Sequence, residues 1–148
     1  MKKSVTAIQK LESLKENFVV RLNLNPEQVR HLKDLISAGV ILDPLLISES
    51  DNELIDGRHR KAAYLELGIK KARCEIKKFA SDAEKIVEAL RCNFGGSLPP
   101  THADVSHTMQ VLLAVGESRR NIIDLVSSRV GLPQKLVQKH LDEVQSNM

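Results

Sequence analysis

Tryptophan is missing from the 148 residues and tyrosine occurs once, which disfavours a site that grips sugars or single-stranded bases by aromatic stacking. The two cysteines, Cys74 and Cys92, stand 18 positions apart with no CxxC pair. That spacing suggests neither a disulfide framework nor a zinc site, and it fits buried thiols in a reducing compartment. No apolar run approaches the roughly 18 residues that a membrane span needs. The opening "MKKSVTAIQKLESLKENF" carries charges where a signal peptide needs an unbroken apolar stretch. A cytoplasmic protein with no membrane partner is the expectation. Cys92, His102 and His107 have no recognised metal-ligand spacing, so no metal centre is predicted, and no Ser-His-Asp or Cys-His arrangement stands out.

What is present is an ordinary soluble balance, 42% hydrophobic and 28% charged, enough for one domain or two small ones. The net charge of +3 is unevenly placed: residues 1–80 hold 15 basic against 11 acidic side chains, and residues 81–148 hold 7 against 8. The basic excess lies in the front half.

Val5, Ile8, Leu11 and Leu14 recur at spacings of three and predict an N-terminal helical arm over residues 1–17. "FVVRLNL" reads as a strand. "NPEQ" then starts a helix, with Asn25 as cap, Pro26 in the first helical position and Gln28 closing a capping box. Gly39 stops that helix near Ala38, and "VILDPLLIS" is extended, with Pro44 at its entry. A turn at "ESDN" leads to a short strand, "ELI". A compact helix carrying Ala62, Ala63, Tyr64, Leu65 and Leu67 ends at Gly68, and "ARCEIKKF" alternates as a strand. "SDAEKIVEALRCN" is a helix with a Ser81–Glu84 capping box. "FGGSLPP" is the clearest break and predicts a linker over residues 94–100 between a mixed domain at 18–93 and an all-helical one at 101–148. The latter opens on a Thr101–Asp104 capping box. Ile122, Ile123, Leu125, Val126 and Val130 mark its second helix, and Leu136, Val137, Leu141 and Val144 its third. Gly131 and Pro133 in "VGLPQ" join these two in the layout of a helix-turn-helix. The predicted fold class is α+β, a small mixed sheet followed by an all-α segment.

The stretch "ELIDGRHRKAAYLELG" holds the main chemical signal. A strand passes through glycine into a helix N-terminus, where backbone amides and the dipole attract anions. Arg58, His59, Arg60 and Lys61 follow at once, although each positive charge in a first turn costs roughly 0.3–1 kcal/mol against the dipole. A phosphate seated among them accounts for the cluster: Gly57 admits a close approach, Arg58 and Arg60 offer forked donors, and His59 offers another. A solvated basic helix start accounts for it equally well on physical grounds. Asp56 and Glu53 flank the motif and are candidates for a magnesium ligand or a general base, although a turn before glycine explains Asp56 as well.

"ELIDGRHRKAAYLELG", preceded by "LISAGVILDPLLIS" and followed by "IKKARCEIKKF", resembles the N-terminal domain of the ParB and sulfiredoxin superfamily over residues 18–80. The resemblance implies a ParB/sulfiredoxin-like mixed-sheet fold in which Gly57, Arg58, His59 and Arg60 hold nucleotide phosphates. The ligand is CTP in partition proteins and ATP or ADP in enzymatic relatives, with Mg2+ as its companion. It also implies a nucleotide-binding role for Asn93, kept from an E-N-x-x-R motif. Two positions depart from the pattern. Arg58 stands where sulfiredoxins carry their nucleophilic cysteine, which excludes sulfinic acid repair, and a glycine in "RCNFGG" replaces the last Arg of the partition motif. The resemblance therefore does not by itself imply CTP hydrolysis or sliding-clamp behaviour.

The tail from "LRCNFGG" onward is similar to ParB-like regulators with a helix-turn-helix. A helix starting at Pro133 is expected to project Gln134, Lys135, Gln138 and Lys139 opposite Leu136, Val137 and Leu141, towards base edges or phosphates. Arg119, Arg120 and Arg129 are expected on flanking phosphates. Residues 101–148 nevertheless hold five basic and five acidic side chains, whereas duplex binding draws on a basic surface. A homodimer or the basic front half is expected to contribute.

The expectation is a ParB-like protein that binds double-stranded DNA in partition or transcription regulation, modulated by nucleotide at Gly57–Arg60. The rival is a nucleotide-dependent phosphotransferase or nuclease using Asp56 or Glu53, and a weak CTPase-like activity is compatible with the first reading. The sequence ends just after the last expected helix, which favours a regulator or mobile-element protein over a chromosomal partition protein.

Overall fold

Asn25 and Pro26 start the first helix as their chemistry dictates: the Asn25 side chain accepts from the Gln28 N–H at 3.1 Å, and Pro26 takes the first helical position. The computed structural model describes residues 5–96 and 98–147. Residues 1–4 of the expected arm and residue 97 of the expected linker lie outside the described residues. The chain divides into two compact units. One is the chain through Asn17 together with Asn23–Lys78, and the other is Phe18–Leu22 together with the chain from Phe79 onward. The division falls at Lys78 and Phe79 rather than at "FGGSLPP", so the helix expected to close the mixed domain belongs with the helices that follow it.

The first unit contains a four-stranded mixed sheet in the order β1 (Val5–Lys10), β4 (Lys71–Lys77), β2 (Leu45–Ser48), β3 (Leu54–Asp56). β1 and β4 are antiparallel, β4 and β2 parallel, and β2 and β3 antiparallel. Helices α1 (Pro26–Ser37) and α2 (Arg58–Glu66) pack on each other through Val29, Leu32 and Ala63. Leu11, Leu14, Leu45, Ile47, Leu54, Ala72 and Cys74 form a second cluster, with Tyr64 and Ile76 against it. Burial pushes the Cys74 thiol above its ordinary value, as befits a structural cysteine.

Two local expectations are corrected here. Residues 5–10 are a strand and not a helical arm, because β1 pairs along its whole length with β4. A ladder of backbone hydrogen bonds outweighs a weak helical stripe, since an isolated helix this short is marginal in water. Val5 and Ile8 are exposed, while Leu11 and Leu14 reach the core through a 3-10 turn at Leu11–Ser13. "FVVRLNL" forms no strand; its backbone is held instead by side chains of the second unit. The Leu22 N–H donates to Asp104 Oδ1 at 2.9 Å and Val20 O accepts from Thr108 Oγ1 at 3.3 Å. Arg21 donates to Asn93 Oδ1 and to the Leu98 carbonyl.

The second unit is helical: α3 (Asp82–Phe94), α4 (His102–Ala114), α5 (Arg119–Leu125) running into a π turn at Val126–Val130, and α6 (Gln134–Ser146). Ser81 caps α3 by accepting from the Glu84 N–H, and Thr101 and Asp104 form a reciprocal capping box on α4. Asp104 is buried. Desolvation acts to raise its pKa, but hydrogen bonds from the Leu22 and Thr101 backbones and the Thr101 hydroxyl, with Arg21 close by, outweigh that and hold the carboxyl below its ordinary value. α4 packs on α6, and the π turn packs on α3. Gly131 ends the second helical run with φ +87°, a left-handed conformation that favours glycine. α6 buries Val137, His140, Leu141 and Val144. Leu136, expected on that apolar face, is 37% exposed, because the true stripe runs through His140 at helical spacing. No helix among the described residues is long and apolar enough to cross a membrane.

Candidate functional site

β3 delivers the chain to Gly57, which caps α2 with φ +119° and ψ 24°. The left-handed backbone favours glycine there, and space requires it as well: a Cβ would run into Leu45 Cδ2 and come within 3.2 Å of Arg60 Nη2. Arg60 reaches back across the glycine. Its Nη1 donates to the carbonyls of Asp43 at 2.8 Å and Pro44 at 2.9 Å, and its Nη2 to Asp56 Oδ2 at 3.1 Å. This guanidinium ties the loop before β2 to the end of β3, so part of what the sequence offered as phosphate chemistry is the local scaffold.

The first turn of α2 contains no acidic residue. Its remaining cations meet a carboxylate from elsewhere in the same unit. Lys15 forms an isolated parallel bridge with Glu53 beside β3, and that bridge places Glu16 against α2. Arg58 Nε donates to Glu16 Oε1 at 2.9 Å and Lys61 Nζ to Glu16 Oε2 at 2.8 Å. Burial acts to raise the Glu16 pKa, but the hydrogen bonds and charges of Lys61 and Arg58 prevail and hold it below its ordinary value. His59 Nε2 accepts from the Asn25 N–H at 2.9 Å, which assigns the ring proton to Nδ1 and couples the starts of α1 and α2. Glu16 is the residue at this candidate site that sequence reasoning missed, since nothing in the local pattern foretells its position beside α2.

Glu53 is fully buried, and its Oε2 accepts from the Asn17 N–H at 2.7 Å. That places its carboxylate out of reach of a solvent-borne substrate. Asp56 is engaged by Arg60. Asn93 lies on α3 in the second unit, where its Oδ1 accepts from Arg21 and its Nδ2 donates to the Ala89 carbonyl.

The side chains expected to meet DNA divide into two groups. Arg119 donates to Asp142 Oδ1 at 2.6 Å and Gln145 Oε1 at 2.7 Å, bracing α5 against α6. Arg129 pairs with Glu84 of α3 at 3.3 Å. Arg120, Gln134, Lys135, Gln138 and Lys139 are all exposed. Arg119, Arg120, Ile123, Asp124 and Gln138 line an open groove of about 440 Å³ between α5 and α6.

Several solved structures share this architecture. A Pnob8-like ParB-N domain aligns over 99% of this chain and 72% of its own, with a TM-score of 0.70 at 12% identity. The C-terminally truncated chromosome-partitioning protein ParB from Caulobacter crescentus aligns in two complexes. With CTP-gamma-S the TM-score is 0.55 at 19% identity over 96% of this chain and 83% of that one; with the centromeric parS site it is 0.55 at 17% over 96% and 76%. At such identities the likeness speaks for the fold. No curated protein matches the chain by sequence. The ParB N-terminal domain, as a family, matches residues 1–94, which include the sheet, the glycine at 57 and the cationic first turn. The chain belongs to the ParB N-terminal domain family.

Proposed function

We propose that this protein is a DNA-binding protein of the ParB type, acting in partition or transcriptional control, whose DNA contacts respond to a nucleotide held at the start of α2. The observation that carries this reading is the left-handed Gly57 opening a helix whose first turn, Arg58 to Lys61, holds four cationic or imidazole side chains and no acid. Such a turn aims backbone amides and positive charge at one point, the arrangement that receives phosphate. Arg58 and Lys61 are drawn together by Glu16; phosphate oxygens take over that role. The nucleotide is CTP, by likeness to the Caulobacter protein complexed with CTP-gamma-S, or else ATP, in either case with Mg2+. DNA meets Lys135, Lys139, Gln134 and Gln138 on the exposed face of α6, with Arg120 nearby, in a helix-turn-helix formed by α5, the turn at Gly131 and α6. The second unit is not basic overall, so a homodimer presents two such faces.

Calorimetric titration of CTP, ATP, ADP and GTP with magnesium tests the nucleotide half. Saturable binding with CTP preferred, weakened in Arg58→Ala and His59→Ala while thermal melts hold, is the expected result. Failure of every nucleotide to bind overturns it. For the DNA half, Lys135→Ala and Lys139→Ala are each expected to reduce the slope of log affinity against log salt by about 1. Unchanged slopes overturn it.

A further inference from the structure

The start of α4 and the middle of α6 bring together three side chains that neither proposed role uses. His102 is the first residue of α4, and His140 and Glu143 lie one turn apart on α6. One ligand atom from each lies within 4.8 Å of the other two. His102 Nε2 and Glu143 Oε2 are 2.8 Å apart, and the two imidazole centroids are separated by 4.3 Å with their planes at 34°. We propose that His102, His140 and Glu143 bind a divalent transition-metal ion of the zinc, cobalt or nickel class, which clips α4 to α6.

Two imidazoles and one carboxylate are the donors these borderline ions select, whereas magnesium and calcium favour all-oxygen sets. An ion pair between His102 and Glu143 needs one imidazole; the second ring, buried at 3% exposure, adds a donor without strengthening that pair. Ser106 holds His140 through Nδ1 at 2.8 Å, the kind of outer contact that orients a ligating imidazole and leaves Nε2 to the metal. Tetrahedral zinc sets its ligand atoms roughly 3.3 Å apart. His102 and Glu143 close the remaining distance by side-chain rotation, since their side chains are 58% and 43% exposed. Three protein ligands leave one position for water, and the exposed side of the cluster supplies it. The pairing was not readable in the sequence because His102 precedes its partners by nearly forty positions; only His140 and Glu143, three apart on one helix, carried a local signal. With metal bound, α6 is pinned to α4 at a turn beyond Gln138 and Lys139.

The test uses the untagged full chain, stripped with chelator and titrated with zinc chloride by calorimetry and with cobalt by visible absorption. One equivalent is expected to bind in the low-micromolar range, with a rise in thermal midpoint and a four-coordinate cobalt spectrum. His102→Ala and Glu143→Gln alter exposed positions and retain the fold; each is expected to weaken binding by about ten-fold or more and to abolish the thermal shift. Magnesium at the same concentrations is expected to leave the melt unchanged. Absence of zinc binding below about 100 µM, weaker than −5.5 kcal/mol or so, overturns the proposal, as do zinc affinities that both variants leave intact.

Discussion

Arg60 and Arg119 both lie near the start of a helix and both hold a carboxylate, yet Arg60 is tied to the backbone by two short bonds and Arg119 by one long one. Arg60 crosses Gly57 to two loop carbonyls and Asp56, and its side chain is 16% exposed. Arg119 spans from α5 to two side chains of α6 and, at 3.4 Å, to the Gln138 carbonyl, and its side chain is 36% exposed. The difference teaches that a cluster of positive residues read from sequence mixes scaffold with ligand site. At α2 the scaffold share is large, and the proposed phosphate site is left with Arg58, His59 and Lys61. Across α5 and α6, Arg119 and Arg129 are spent on neighbouring helices, and the exposed remainder is Arg120, Lys135 and Lys139.

The strongest way to break the comparison is to fill the space that Arg60 crosses. Gly57→Ala places a Cβ against Leu45 and Arg60 on a left-handed backbone; strain and overpacking together are expected to cost about 3 kcal/mol. Chemical denaturation measures it. Arg60→Ala comes next at about 2 kcal/mol, since it strips hydrogen bonds from a charged donor to two carbonyls and a carboxylate. Because Arg60 is one of the atoms that the new methyl meets, the double variant is expected to cost less than the sum of the two. Strict additivity shows that Leu45 alone defines the limit at Gly57.

Much of this was legible before any coordinates. The caps at Asn25, Ser81 and Thr101 and the stop at Gly131 act within one turn, so local chemistry reports them faithfully. The strand-to-helix turn at Gly57 was readable for the same reason, although its left-handed backbone was not foreseen, and the mixed sheet came with the family resemblance. The misses share a physical cause as well. Residues 5–10 form a strand only because β4 lies beside them, and Phe18–Leu22 loses its strand to Asp104 and Thr108, more than eighty positions away. Leu136 for His140 on the buried face of α6 is a smaller error of the same kind, since the stripe is fixed by what packs against it. At the site, the motif named the cations but not Glu16, nor the use of Arg60 as a brace.

Arg119→Ala sharpens the contrast from the other side. Its shortest contacts are to the exposed side chains of Asp142 and Gln145, with only a long 3.4 Å bond to the Gln138 carbonyl, and exposed ion pairs contribute 1 kcal/mol or less as a rule. The expected loss is about 0.5 kcal/mol, well under that of Arg60→Ala. A loss equal to Arg60's places α5 and α6 in the same class of built-in scaffold as the start of α2.

Glu16→Gln gives the smallest change in stability and the most direct probe of the ligand share. Its carboxylate is one-third exposed and bridges Arg58 and Lys61, so the expected cost at neutral pH is about 0.5 kcal/mol. The folded-state pKa of Glu16 is lowered from its ordinary value by Lys61 and Arg58, against the effect of burial. A group shifted down in this way stabilises the fold fully above its unfolded value and loses that contribution as pH falls through the folded one. The gap between wild type and variant is therefore expected to hold above pH 4.5 and to close below it, which melts at several pH values will show. The same substitution frees Arg58 and Lys61 from a competing anion. If those two cations belong to a phosphate site, nucleotide binds the variant several-fold more tightly than the wild type. If they belong to the scaffold as Arg60 does, affinity is unchanged or falls, and the two ends of the comparison converge.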